Sequence, residues 1–149
     1  MQKKLITAYC GDKEVVNEAI LGLCILNGSE EKTSIIVELL GEKNQECETI
    51  FREFENQIKY LSFGKPDSLT LMNAYNFAKK VLTTAECHIL ILKDIIDILN
   101  QGLIHYEEFI QLLECKKEEV EIVITGSHLD ENLLSFIQKN ISIRVDKVI

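Results

Sequence analysis

Short apolar runs of strand length alternate with stretches of helical spacing along the whole chain. This alternation restricts the available folds more than any other feature. "CHILIL" (Cys87–Leu92) is the most strand-like run and shows no polar alternation, which predicts a strand buried on both faces. "LITAY" (Leu5–Tyr9), "SIIVELL" (Ser34–Leu40), "KYLSF" (Lys59–Phe63) and "VEIVITG" (Val120–Gly126) read as further strands, and "ISIRVDKVI" as a last, alternating one. Between them lie helical patterns. Val15, Val16, Ala19, Ile20, Leu23 and Leu26 share one face, closed by Asn27-Gly28. "CETIFREFENQI" places Ile50, Phe51, Phe54 and Ile58 together. Ser68 is read as the cap of a helix carrying Leu69, Met72, Ala78, Val81 and Leu82. "DIIDILNQGL" and "HYEEFIQLLECK" follow, and Asp130 caps "DENLLSFIQKN".

Strand and helix alternating some six times predicts an α/β three-layer sandwich, with a mainly parallel sheet of about six strands and right-handed crossovers. No repeat, low-complexity stretch or linker divides the chain, so residues 1–149 are read as one domain. With 149 residues and 46% hydrophobic content, a real core can form. A net charge of −8 argues against binding the phosphate backbone of nucleic acid or an anionic lipid surface. No apolar run reaches the roughly 18 residues of a membrane span, and the start "MQKK" leads straight into a strand, so a cytoplasmic protein is expected.

In a parallel sheet, ligands bind beyond the carboxyl ends of the strands. Cys10–Asn17, Leu40–Gln45, Phe63–Asp67, Lys93–Asp97 and Thr125–Asp130 are therefore the segments that can carry chemistry. Of the three histidines, His88 is expected in the core or at its margin, His105 begins a helix, and only His128 lies in a ligand-edge loop. No two have metal-ligand spacing. The five cysteines show no CxxC and are expected as free thiols. Cys10 sits in the opening turn, but Glu14 and Glu18 oppose the electropositive setting a reactive thiol needs. Asp94 and Asp97 read either as a carboxylate pair or, preferably, as acids favouring a helix N-terminus.

Three of these segments together resemble one family, the P-loop ATP:corrinoid adenosyltransferases. "YCGDKEVVNEAILGL" (Tyr9–Leu23) is similar to the family's "YTGDGKGKTTAALGL", at equal length. "LILKDIIDILNQGLIHYEEFIQLL" (Leu90–Leu113) resembles "LVLDEINYALKYGLLDVEEVLELL" without a gap, and "IVITGSHLDENLLSFIQ" (Ile122–Gln138) resembles "VVLTGRNAPEELIELAD". The resemblance implies a P-loop NTPase-like fold. It also implies a homodimer and an enzyme that moves the adenosyl group of ATP onto a reduced cobalt corrinoid, with ATP and magnesium as cofactors. By position, the nucleotide site would comprise Gly11, Asp12, Val16, Asn17, Asp94, Ser127 and His128.

The departures from the family fall on the chemistry. A phosphate cradle needs glycines that let backbone N–H groups converge, a lysine, and a hydroxyl for magnesium. Lys13 and Val15 stand at the family's later glycines, Glu14 and Val16 at its lysines, and Asn17 and Glu18 at its threonines. The acidic pair after the central strand has become Lys93-Asp94, and the Arg-Asn after "TG" has become Ser127-His128. These changes predict a vestigial nucleotide site, with Lys93 paired to Glu14 or Glu18 in the old phosphate space; the alternative is three solvated surface charges. Two functions stay open. One is a degenerate, non-catalytic homologue that binds a corrinoid, a nucleotide fragment or another protein. The other is a working adenosyltransferase that holds ATP by altered contacts.

Overall fold

The computed structural model describes residues 6–40, 45–54, 56–63, 65, 67–134 and 139–143. Strands β1 (Ile6–Gly11), β2 (Ser34–Glu38), β3 (Ile58–Ser62), β4 (Ile89–Lys93), β5 (Glu121–Gly126) and β6 (Lys139–Ile143) form one sheet in the order β3-β2-β4-β5-β1-β6. Every pairing is parallel, so all the carboxyl ends lie along one edge. The register there places Glu38 beside Lys93 and Cys10 beside Gly126.

Alternating side chains divide the sheet into two apolar layers. On one face Ile35, Val37, Leu90, Leu92, Ile122 and Ile124 pack with α3 (Ser68–Thr84), α4 (Ile95–Asn100) and α5 (Tyr106–Glu114). On the other, Ile36, Ile89, Ile91 and Val123 pack with α1 (Lys13–Ser29) and with Phe51 of α2 (Gln45–Arg52). All five residues of β4 are buried, as its unbroken apolar run predicts. A short α6 (Glu131–Leu134) follows β5, with Asp130 accepting from the Asn132 N–H at 3.0 Å as its expected cap.

Several local expectations are corrected. The α3 cap is Asp67, whose carboxylate accepts from the Thr70 N–H at 2.8 Å; a residue earlier, it reaches the amide that Ser68 cannot. In α1 the buried stripe is Val16, Ile20, Cys24 and Gly28, so Leu26 projects to solvent. In α3 Leu71 and Ala74 are buried while Leu69 and Met72 are exposed. The inward stripe steps by four residues in α1 and by alternating threes and fours in α3, both compatible with the helical period, so the packing of each helix on the sheet selects the buried line. The second helix ends at Arg52, and Ile58 opens β3 instead of extending the helical face. His88 is exposed just before β4, where its Nδ1 accepts from the Thr33 N–H at 3.0 Å. The expected helix residues 135–138, the turn residues Gly64 and Pro66, and the last strand's residues 144–149 lie outside the described residues.

Gly126 fixes how closely the carboxyl edge closes. A Cβ there would run into the Ile96 side chain and sit 3.3 Å from the Asp97 nitrogen. Gly126→Ala is therefore expected to push α4 off β5 and to destabilise the fold by about 1–3 kcal/mol, read by chemical denaturation.

Candidate functional site

The opening turn determines what the carboxyl edge can hold. Gly11 has φ 143°, a conformation open to glycine and strained for other residues. Asp12 then caps α1, its side chain accepting from the Glu14 N–H at 3.0 Å, while the Val16 N–H bonds the Asp12 carbonyl at 2.9 Å. Lys13, Glu14, Val15 and Val16 thus wind as the first turn of a regular helix. The Glu14 amide that could face an anion is taken by the chain's own carboxylate.

Across the edge stands a buried cluster of charge. Lys93, at the end of β4, donates from Nζ to Glu38 Oε2 at 2.6 Å, and the Tyr60 hydroxyl donates to the same oxygen at 3.2 Å. The ammonium also lies 5.9 Å from the Tyr60 ring centre. Glu38 is 2% exposed, and Lys93 and Asp94 5% each. The expected partners of Lys93, Glu14 and Glu18, are exposed on α1; Lys93 pairs with Glu38 because the two are register neighbours on adjacent strands. The predicted pair is not formed, and the solvated alternative holds for Glu14 and Glu18 but not for the buried Lys93.

Asp94 takes the left-handed conformation at φ 66°, which Asp tolerates better than most residues. Its N–H donates to Thr125 Oγ1 at 2.7 Å, and its side chain makes no capping bond to α4. Burial, then the neighbouring Glu38 charge, pushes its carboxyl up from 3.8 to about 6, with Lys13 and Lys93 acting the other way. Lys13 Nζ lies 3.6 Å from Asp94 Oδ2. Asp94 and Asp97 both stand at the N-terminus of α4, where the helix-dipole reading places them, but the Asp94 carboxyl also faces Glu38 and Lys13. Asp97 instead accepts at Oδ1 from the Ser127 N–H at 3.1 Å and hydroxyl at 2.6 Å, fastening the β5 turn to α4.

Between these groups lies a cleft of about 220 Å³, lined by Gly11, Val16, Asn17, Asp94 and Ser127 among others. Five of the seven positions assigned from the sequence thus meet in one place. Asp12 is spent on the helix cap. His128 borders a separate hollow beside Tyr106 and Asp130, and its carbonyl accepts from Asn100 Nδ2 at 3.0 Å. Among the described residues no three His, Cys, Asp or Glu side chains are placed to hold a metal ion. Cys10, Cys24, Cys87 and Cys115 are free, and burial raises the thiols of Cys10, Cys24 and Cys87, Cys24 to about 12. That depresses thiolate character at Cys10. Side-chain surroundings of Cys47 lie outside the described residues.

Glu38 and Tyr60 are the contributors that motif comparison misses. A signal for Glu38 was present: a lone acid in a strand buried on both faces needs a buried partner, and Lys93 is the matching lone base in the central strand.

The fold is of the P-loop α/β type, and the cleft lies at the joint carboxyl ends of β1, β4 and β5. A solved structure of the KaiC-like protein PH0186 from the hyperthermophilic archaeon Pyrococcus horikoshii OT3 is similar, at TM-score 0.55 and 16% identity. The similarity covers 86% of this chain but 62% of that one, and at such identity it shows the fold alone. No curated protein sequence matches the chain. The chain does match the ATP:corrinoid adenosyltransferase BtuR/CobO/CobP family over residues 2–147, and it belongs to that family. No helix among the described residues is long and apolar enough to cross a membrane.

Proposed function

We propose that this chain is a non-catalytic member of the corrinoid adenosyltransferase family, acting in the cytoplasm as one domain over residues 1–149 and binding a corrinoid, a nucleotide fragment or a partner protein. The observation that carries the reading is the first turn of α1. A phosphate cradle is a non-helical loop whose N–H groups converge on an anion. Here residues 13–16 are helical, and the Asp12 carboxylate already occupies the Glu14 amide.

The remaining residues do not fit magnesium triphosphate either. Lys93 stands where the family's strand-end acid would meet magnesium, and its ammonium is bound to Glu38 at 2.6 Å. Asn17 replaces a metal-binding hydroxyl, and Asp94 and Asp97 add negative charge to the cleft. Two unit charges at contact repel by about 1 kcal/mol in water and by several times that at lower dielectric. On this reading, none of the described residues has a step in adenosyl transfer from ATP.

Isothermal titration with Mg-ATP, then with a cobalamin, tests the reading, together with an assay for adenosylation of reduced cobalamin. The expected result is no ATP binding in the micromolar range and no adenosylated product. Micromolar ATP binding or turnover would overturn it. One observation favours the second reading, a working adenosyltransferase: the family match runs from residue 2 to residue 147, well past the altered loop. A homodimer, as in the family resemblance, is a further element of the proposal, and sedimentation analysis measures it.

A further inference from the structure

The cleft beside α1 has the chemistry of a receptor for positive charge. Asp94 is 5% exposed, borders the cleft, and its Oδ2 has no hydrogen-bond donor among the described residues. The neighbouring cation is spent elsewhere, since Lys93 donates to Glu38 at 2.6 Å. Thr125 bonds only the Asp94 backbone, and the side chain facing its carboxyl, Glu38, is itself an acid and supplies no donor while ionised. Lys13 does approach Oδ2, but at 3.6 Å, beyond hydrogen-bond distance, from a side chain that is 60% exposed. That contact is a loose ion pair from the mouth of the cleft. A buried carboxylate oxygen in this state favours a donor that comes closer.

We infer that the cleft takes a small organic ligand whose primary ammonium displaces Lys13 and donates to Asp94 Oδ2. This inference deepens the proposed loss of ATP binding and rests on it, because the same site cannot hold a triphosphate and select a cation. The volume, about 220 Å³, is the liquid volume of about seven waters, which suits a short amine. Asn17 lies in the wall to bond a polar remainder, the Ser127 hydroxyl, which donates to Asp97, can accept there, and Asp97 adds a second negative charge. Gly11 and Gly126 contribute backbone alone to the lining. Displacement releases Lys13 to water, where an exposed ion pair of this kind is worth little, and replaces it with a charge-assisted hydrogen bond at a buried acceptor.

The test is calorimetric titration of the full chain at pH 7.5 with butane-1,4-diamine and ethanolamine, with butane-1,4-diol and inorganic pyrophosphate as controls. Both amines are expected to bind and neither control to do so. Lys13→Ala is expected to tighten amine binding several-fold, because it removes the competing internal cation. Asp94→Asn is expected to weaken it by roughly ten-fold or more. Lys13 is on the surface, so its variant remains informative if Asp94→Asn folds poorly. Absence of amine binding by both wild type and Lys13→Ala overturns the inference, as does weaker binding by Lys13→Ala. Either outcome leaves the proposed function standing if Mg-ATP also fails to bind. Pyrophosphate or Mg-ATP binding at this cleft overturns both.

Discussion

Replacing Lys93 with methionine is expected to destabilise the fold by about 3–5 kcal/mol, measured by urea denaturation at pH 7.5. Methionine fills similar space, so the loss is electrostatic. Glu38 is 2% exposed and receives its short bond from Lys93; without that ammonium it keeps the Tyr60 hydroxyl at 3.2 Å and a charge with no cation bonded to it. Asp94 softens the loss, because once protonated it can donate to its neighbour Glu38. The result therefore falls toward the lower end of the range. Adding Glu38→Leu to Lys93→Met is expected to recover most of the stability, since paired apolar replacements of buried ion pairs are often neutral or better. A single Lys93→Met change costing under about 1 kcal/mol would mean that the pair is solvated in practice.

The second large effect is a pH dependence carried by Asp94. Its carboxyl is raised from 3.8 to about 6, first by burial and then by Glu38 of β2, against the opposing ammonium groups of Lys13 on α1 and Lys93 on β4. Between those two values the native state holds a proton that the unfolded chain has released. Stability from this group is therefore largest in acid and falls as pH rises from about 4 to above 6, by at most roughly 3 kcal/mol. This is opposite in sign to an acid stabilised as its anion. Other carboxylates overlay the curve, so the clean measure is wild type minus Asp94→Asn across pH 4.5 to 7.5. The difference should move steadily against wild type as pH rises. A flat difference would show that Asp94 titrates as in water.

The sheet was legible because its information is local. Unbroken apolar runs of strand length such as that ending at Leu92 read as inner strands, and Gly-Asp marks the turn into α1, whereas Asn27-Gly28 lies within the last turn of that helix. Helix faces were less so, since Leu69 and Met72 satisfy helical spacing as well as Leu71 and Ala74 do. Only the angle at which α3 meets the sheet decides which pair is covered. For the site, five positions could be placed in one cleft because motif spacing carries the strand ends with it. The partner of Lys93 could not be found that way. The loop comparison pointed to the acids of α1, whereas strand register supplies Glu38, which is 55 residues away in sequence. Register is a property of the assembled sheet, and no short motif encodes it.

The cap at Asp12 bears on how this chain could change its ligand. Installing a lysine and a threonine at positions 16 and 17 would hang phosphate-binding side chains on an intact helical turn. The amides there would still point along the helix axis, with one still claimed by Asp12. Regaining a phosphate cradle requires that turn to unwind first, which calls for glycines at 13 and 15 and the loss of helical hydrogen bonds before any anion repays them. Single substitutions toward phosphate binding thus begin with a penalty. Those that reshape the polar wall around Asp94 leave the backbone path as it is.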